Sequence, residues 1–415
     1  MIKTNIQWLP EIPEDWKIGK VQEAFKLSKN LITQENPTVL SLARDGIKER
    51  DISNNEGQLA ASYDGYNEVL PGDLLLNPMD LVSGANCNMS TISGIISPAY
   101  LNLRARSGVF PKYFDYYFKT QYWTMAMFAH GKGVSYDHRW TINRNTILNY
   151  EIPIPSFDEQ KRIADFLDDR IGKIDSLIEN ENKQFETLER LKKSVIQDSI
   201  KSAITANGYT EVPLKSLFAF GKGLPITKSN LLPSGVKVVS YGQLHAKYNK
   251  SYTLEPSLYR FVSESYLQSN PDSLVKKHDF IVADTSEDLQ GTGDFVHVDN
   301  DDQIFAGYHS IILSSKNDED SYFLSFLFMT DEWRLQLRSR VYGVKLYSLT
   351  KKILSQAQVP LPPKKKQEEV AKSISRRCDL IDSAKASTQK EIKKLGEYKK
   401  SLIYEYVTGK RRLPS

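Results

Sequence analysis

Residues 152–202 recur 207 positions later without a gap. Pro153 and Pro155 return as Pro360 and Pro362, Gln160 as Gln367, and Ile163-Ala164 as Val370-Ala371. Further along, Ile174-Asp175-Ser176 returns as Ile381-Asp382-Ser383, and Lys192-Lys193-Ser194 as Lys399-Lys400-Ser401. Chance does not keep register over about fifty residues, so the chain is an internal duplication, and its fold must place each unit twice.

Within the repeat, apolar residues of the first copy fall at Ile163, Leu167, Ile171, Ile174, Ile178, Phe185, Leu188 and Val195. The second copy has Val370, Ile374, Cys378, Ile381, the polar Thr388, Ile392, Leu395 and Leu402 at related steps. Such spacing predicts one apolar stripe on a long helix, close to coiled-coil periodicity. Roughly 45 residues at about 1.5 Å each give a rod of about 67 Å. So narrow a stripe needs a partner, and the other copy is the natural one. An antiparallel pair suits two similar halves related by a pseudo-twofold axis. Ser156 and Glu159 fit an S-x-x-E capping box, and Gly208 and Gly409 follow the helices as stop signals. The second copy starts instead on Pro363-Lys364-Lys365-Lys366. Three cations there oppose the helix dipole, as surface drift or as a site for an acidic partner or phosphate.

Before each helix lie about 160 residues of short alternating runs bounded by Gly, Pro and Asn, which read as strands and loops. They correspond loosely. Val21 and Phe25 match Leu214 and Phe218, "VLPGDLLLN" matches "LVKKHDFIVAD" with Asp73 against Asp279, and "YFDYYFKTQYW" matches "YFLSFLFMTDEW". "HGKGVSYDHRWTI" stands where "RVYGVKLYSL" recurs. The stretch "SLARDGIKERDISNNEG" has no clear equivalent in "KGLPITKSNLLPSGVKVVSYGQLHAKYNK" of the second half. A shared framework with divergent loops suits two modules that read different ligands, and is also what drift after duplication leaves.

Composition limits the partners. The net charge of +4 is concentrated at the end, where 15 basic residues stand against 7 acidic ones after position 363. A basic tail admits nucleic acid or a solvated helix face. Two cysteines offer neither a disulfide framework nor a metal pair, and no apolar run approaches the roughly 20 residues of a membrane span. With no signal-peptide core at its start, the chain is expected to be cytoplasmic. Enzymatic motifs fail one by one. "NPMD" at Asn77–Asp80 lacks the third and fourth positions of the Asn-Pro-Pro-aromatic signature of amino-methyltransferases. No glycine-rich cofactor loop follows a strand, "HGKGVS" lacks P-loop spacing, and no lysine between His278 and Ser315 completes a nuclease element after Asp272. The six histidines lack metal-ligand spacing, so no metal site is expected. These absences favour binding over catalysis, and leave open a coiled-coil adaptor without DNA specificity.

The proline-flanked strand, the long helix, their duplication, "PGDLLL" and "IPEDWKIGKV" together resemble the specificity subunits of type I restriction–modification systems along the whole chain. The resemblance implies an α+β fold, with two α/β target recognition domains alternating with two helices that pair as an antiparallel coiled coil. Residues 1–157 and 203–363 would be the recognition domains. Residues 158–202 and 364–415 would be the spacer helices, the second with its tail. It further implies a non-catalytic subunit that reads a bipartite asymmetric double-stranded DNA target. Two modification subunits would carry S-adenosylmethionine, restriction subunits would use ATP and Mg, and this chain would bind no cofactor. Base edges call for Arg, Lys, Asn, Gln, Ser or Tyr on loops, and phosphates for Lys and Arg more generally. The candidates are Arg44, Lys48, Lys132, Ser135, Tyr136, His138 and Arg139 in the first domain. In the second they are Lys222, Lys228, Gln243, His245, Lys247, Arg340, Tyr342 and Lys345.

Overall fold

The computed structural model describes residues 1–29, 38–52, 62–82, 84, 86–133, 140–316, 319–343 and 345–413. They form two compact units, Met1–Asn182 with Lys390–Ser415, and Lys183–Gln389.

In the first unit a four-stranded antiparallel sheet runs in the order Phe25–Leu27, Leu101–Ala105, Leu74–Leu76, Cys87–Met89. The second unit repeats that order with Phe218–Lys222, Ser310–Ser315, Phe280–Ala283 and Phe295–His297. The inner strands "LLL" and "FIVA" are buried throughout, so they read as continuous apolar runs rather than alternating ones. Asp73 and Asp279 close the turns ahead of them, accepting from the N–H of Leu70 and of Lys276 at 2.9 Å. An aromatic-rich helix covers each sheet. Phe114 of Pro111–Trp123 meets Phe25 edge-on at 5.2 Å, and Phe328 of Ser321–Phe328 meets Phe280 at 5.2 Å. Pro111 opens its helix where a missing N–H costs nothing, and the Asp320 side chain caps the other through Phe323 N–H.

The described part of the stretch without a sequence counterpart, residues 41–52, does have one in the fold. The hairpin Leu40–Ala43/Gly46–Glu49 follows Val39, which bridges Ile95 in parallel, and Gly94–Ile96 pairs with Asn67–Val69. In the second unit Val236–Val239 pairs with Arg260–Val262, runs parallel to Ile304–Ala306, and that strand pairs with Leu274–Val275. Half-buried strands demand a pattern of burial, not particular residues, so topology outlasted identity.

Pro153 and Pro360 lie in two-stranded ladders, Glu151–Ile154 on Lys17–Lys20 and Gln358–Leu361 on Thr210–Pro213, with Pro155 and Pro362 just beyond them. Such ladders have open edges that tolerate a residue without N–H. From them spring the long helices Phe157–Asn207 and Lys364–Val407, whose first residues lie 207 positions apart. Gly208 at φ 69° and Gly409 at φ 71° end them in the left-handed conformation that glycine accepts freely. The capping box is half formed. Ser156 Oγ accepts from Glu159 N–H at 3.3 Å, but the Glu159 carboxylate turns to Trp16 Nε1 at 3.0 Å and Arg412 at 3.4 Å. At the second start Lys366 pairs with Glu369 one turn on.

Within each unit the helices run antiparallel. In the first, Phe166 meets Tyr406 and Asp175 meets Lys399 at 2.6 Å. In the second, Glu189 meets Lys385 at 3.0 Å and Lys192 meets Asp382 at 2.8 Å. The Asp175–Lys399 and Asp382–Lys192 pairs are the same pair under the 207-residue repeat. Stripe residues Ile163, Leu167, Ile171 and Ile174 join Leu402 and Tyr406 in the first core; Val370, Ile374 and Cys378 join Ile196 and Ile200 in the second. Val195 and Ile381 are also buried, whereas Ile178, Phe185, Leu188, Ile392 and Leu395 are half-buried.

Candidate nucleic-acid interface

Each unit builds its loops on the same anchors. The repeat register holds back to Ile142 and Leu349, both buried, whose N–H groups donate to Pro78 O and Asp284 O at 2.8 Å. Just after them, Asn143 and Thr350 cap equivalent short helices through Thr146 N–H and Ile353 N–H. The deepest anchor is the repeated glutamine. Gln160 Nε2 donates to Pro155 O at 2.8 Å, and its Oε1 accepts from Phe110 N–H at 2.7 Å. Gln367 donates to Pro362 O at 2.9 Å and accepts from Asp320 N–H at 3.2 Å. Both are buried. Each therefore ties its long helix to the proline strand behind it and to the start of the aromatic helix. Nothing in the sequence signalled this role except the recurrence itself.

The anchored segments carry many of the candidate residues. Lys132 is exposed where its backbone pairs with Thr141, while Ser135, Tyr136, His138 and Arg139 lie outside the described residues. In the second unit the equivalent loop presents Arg340, Tyr342 and Lys345, all exposed, Tyr342 to 89%. A side chain on Gly343 would collide with Leu346 O at 2.1 Å, so the turn behind Tyr342 is tight. Tyr347–Ser348, which follows, pairs with Thr285–Ser286. Arg44 and Lys48 sit on the exposed hairpin of the first unit, Lys48 paired with Asp45 at 2.5 Å. Lys222 ends a sheet strand, Lys228 sits in a 3-10 turn, and Lys247 follows the turn Tyr241–Leu244; all three are exposed.

Two candidates are occupied by the fold. Gln243 Oε1 accepts from Ser240 N–H at 3.1 Å. His245 lies between Asp294 Oδ2 at 2.8 Å from Nδ1 and Thr285 O at 2.9 Å from Nε2. Both neighbours only accept, so the ring satisfies both by carrying two protons. The bond to Asp294 raises the His245 pKa above the ordinary value. Burial alone would raise Asp294, but His245 and Arg334, at 2.6 Å, hold its carboxyl below the usual range. His297, by contrast, is pushed down to about 4 by burial. Sequence reading missed Asp294, Arg334 and Arg338. The four-residue step between the two arginines on one helix face was the available sign. Among the described residues, no group of three or more His, Cys, Asp or Glu is placed to hold a metal, and no helix is long and apolar enough to cross a membrane.

Comparison with known proteins agrees with this architecture. The family model for the type I restriction modification DNA specificity domain matches residues 111–190 and 207–394. Two relatives come from Methanocaldococcus jannaschii. The type I restriction enzyme MjaVIII specificity subunit is 22% identical, with 97% of this chain and 94% of that protein covered. The putative type I restriction enzyme MjaX specificity subunit is 23% identical, with 97% and 95% covered. Among solved structures, a chain from work on complex assembly and conformational transition of the type I R-M system aligns with a TM-score of 0.66. It has 14% identity, with 97% of this chain and 100% of that one covered. The HsdS subunit from Thermoanaerobacter tengcongensis aligns at 0.51, with 14% identity and 97% and 98% covered. With the family model matching most of its length in two segments, the chain belongs to the DNA specificity family of type I restriction–modification systems.

Proposed function

We propose that the chain is a non-catalytic subunit that reads a bipartite, asymmetric DNA sequence, one half through each recognition domain. One observation carries this reading: the two units share their anchors, Gln160 with Gln367 and Ile142 with Leu349, yet the segments ahead of Ile142 and Leu349 differ in sequence, with Lys132 exposed in one and Arg340, Tyr342 and Lys345 exposed in the other. Lysine and arginine on those loops suit phosphates, and phosphate contacts fix register without conferring sequence. The long helices offer a docking face for modification subunits that bring S-adenosylmethionine, with restriction subunits joining through ATP and Mg. This reading places the chain inside the cell, in the cytoplasm.

The test is co-expression of the full chain with its cognate modification subunit and genome-wide mapping of methylated adenines. A two-part motif with a fixed gap is expected; scattered or absent methylation overturns the reading. Inserting four residues after Glu189 and four after Lys385, its partner, adds about 6 Å to each rod. At about 3.4 Å per base pair, the gap should lengthen by about one or two base pairs.

A further inference from the structure

The second unit holds one irregular loop far more firmly than its surface position requires. Between Thr285 and Asp294, three cationic side chains donate into it. His245 bonds Thr285 O at its start and the Asp294 carboxylate at its end, at 2.9 and 2.8 Å. Arg338 Nη2 reaches Gln290 O at 2.6 Å in the middle, and Arg334 Nη1 reaches Asp294 Oδ1 at 2.6 Å. The loop also braces itself, since Asp288 Oδ1 accepts from Gly291 N–H at 2.7 Å. At Gly291 a side chain would lie 2.5 Å from Ser286 Oγ and 3.1 Å from His245 Nδ1, so backbone and imidazole are in close contact. Thr285–Ser286 is paired in turn with Tyr347–Ser348, which fixes the loop to the segment behind Tyr342.

What this scaffolding displays is short. Glu287, Asp288, Leu289 and Gln290 are exposed, and Asp288 is committed to the turn. An acceptor, an apolar group and an amide remain, held at fixed positions. An acidic side chain repels phosphate, so this loop is unsuited to the DNA backbone. It is suited to base edges, where a carboxylate accepts from the cytosine amine, an amide pairs with adenine, and an apolar side chain meets the thymine methyl. The cations that phosphates need lie on neighbouring segments, in Lys247 and Lys345.

We propose that Glu287, Leu289 and Gln290 read base edges in one half of the target, and that His245, Arg334 and Arg338 are positioning residues that fix their loop. This rests on the function proposed above. The test is methylation mapping of the full chain with its modification subunit, comparing wild type with Glu287→Ala, Gln290→Ala and His245→Phe. Glu287→Ala and Gln290→Ala change exposed residues. Each should leave the gap and one half of the motif intact while relaxing one position of the other half, with discrimination there falling about ten- to a hundredfold. His245→Phe should relax several positions of that same half, and His245→Gln, which retains one donor, should recover part of the loss. A purely structural histidine would lower methylation everywhere without altering the motif. A two-part motif unchanged by both exposed substitutions, or altered in both halves, overturns the assignment alone. A wild-type map without a two-part motif overturns it together with the function.

Discussion

Two of the ion pairs between the long helices, Lys192–Asp382 and Asp175–Lys399, are one pair by descent and two by environment. Lys192 and Asp382 retain 14% and 19% of their side-chain exposure; Lys399 and Asp175 retain 28% and 50%. Around Asp382 the second unit adds Tyr252, whose hydroxyl donates at 3.0 Å and whose ring lies 4.8 Å from the Lys192 ammonium. Lys250 approaches at 3.9 Å. Burial removes solvent from charges that attract each other and makes the loss of either one costly, while an exposed pair is screened. Identical residues in identical register thus differ in worth, and the neighbouring domain decides by how much.

Substitution should separate the two pairs. Asp382→Ala should destabilise the full chain by about 2–4 kcal/mol, because Lys192 and the Tyr252 hydroxyl lose their acceptor in a half-dry site. Asp175→Ala should cost under about 1 kcal/mol. Urea unfolding of the two variants measures both, and equal losses would refute the account. Where environments match, effects should match. Gln160→Leu removes the partner of the Phe110 N–H and of the Pro155 and Gly108 carbonyls, and Gln367→Leu that of the Asp320 N–H, the Pro362 carbonyl and the Glu319 carboxylate, so each should cost about 1–3 kcal/mol, and the two should agree within about 1 kcal/mol.

The smallest effect is a pH dependence confined to the second unit. His245 has a raised pKa in the fold, so its contribution is whole below the ordinary histidine value of about 6.5 and is lost as pH climbs through the folded value. The melting-temperature gap between wild type and His245→Phe should therefore be widest near about pH 6 and shrink at alkaline pH. A gap that widens with pH would reverse the assignment of charge.

The duplicated helices were legible because the repeat kept its register and a helix writes its buried face into the sequence at steps of three and four. Gly208 and Gly409 were legible for a similar local reason. The capping box was only half legible. Ser156 acts within one turn, but the destination of Glu159 depends on Trp16 and Arg412, both more than 140 residues distant. His245 drew notice as a candidate DNA contact, yet its partner Asp294 lies 49 positions away, and long-range pairing leaves no periodic trace. The correspondence of Leu40–Ala43 with Val236–Val239 was hidden because only pairing, not residue type, was retained.

One feature of Gln160 bears on how such chains can change over time. It reaches the carbonyls of Pro155 and Gly108 and the N–H of Phe110, main-chain atoms that every residue type supplies, proline's missing N–H aside. The joint itself therefore places no demand on the side chains at the last two positions, although the φ of 80° at Gly108 favours glycine there. A joint gripped through main-chain atoms constrains the backbone it holds rather than the side chains carried there.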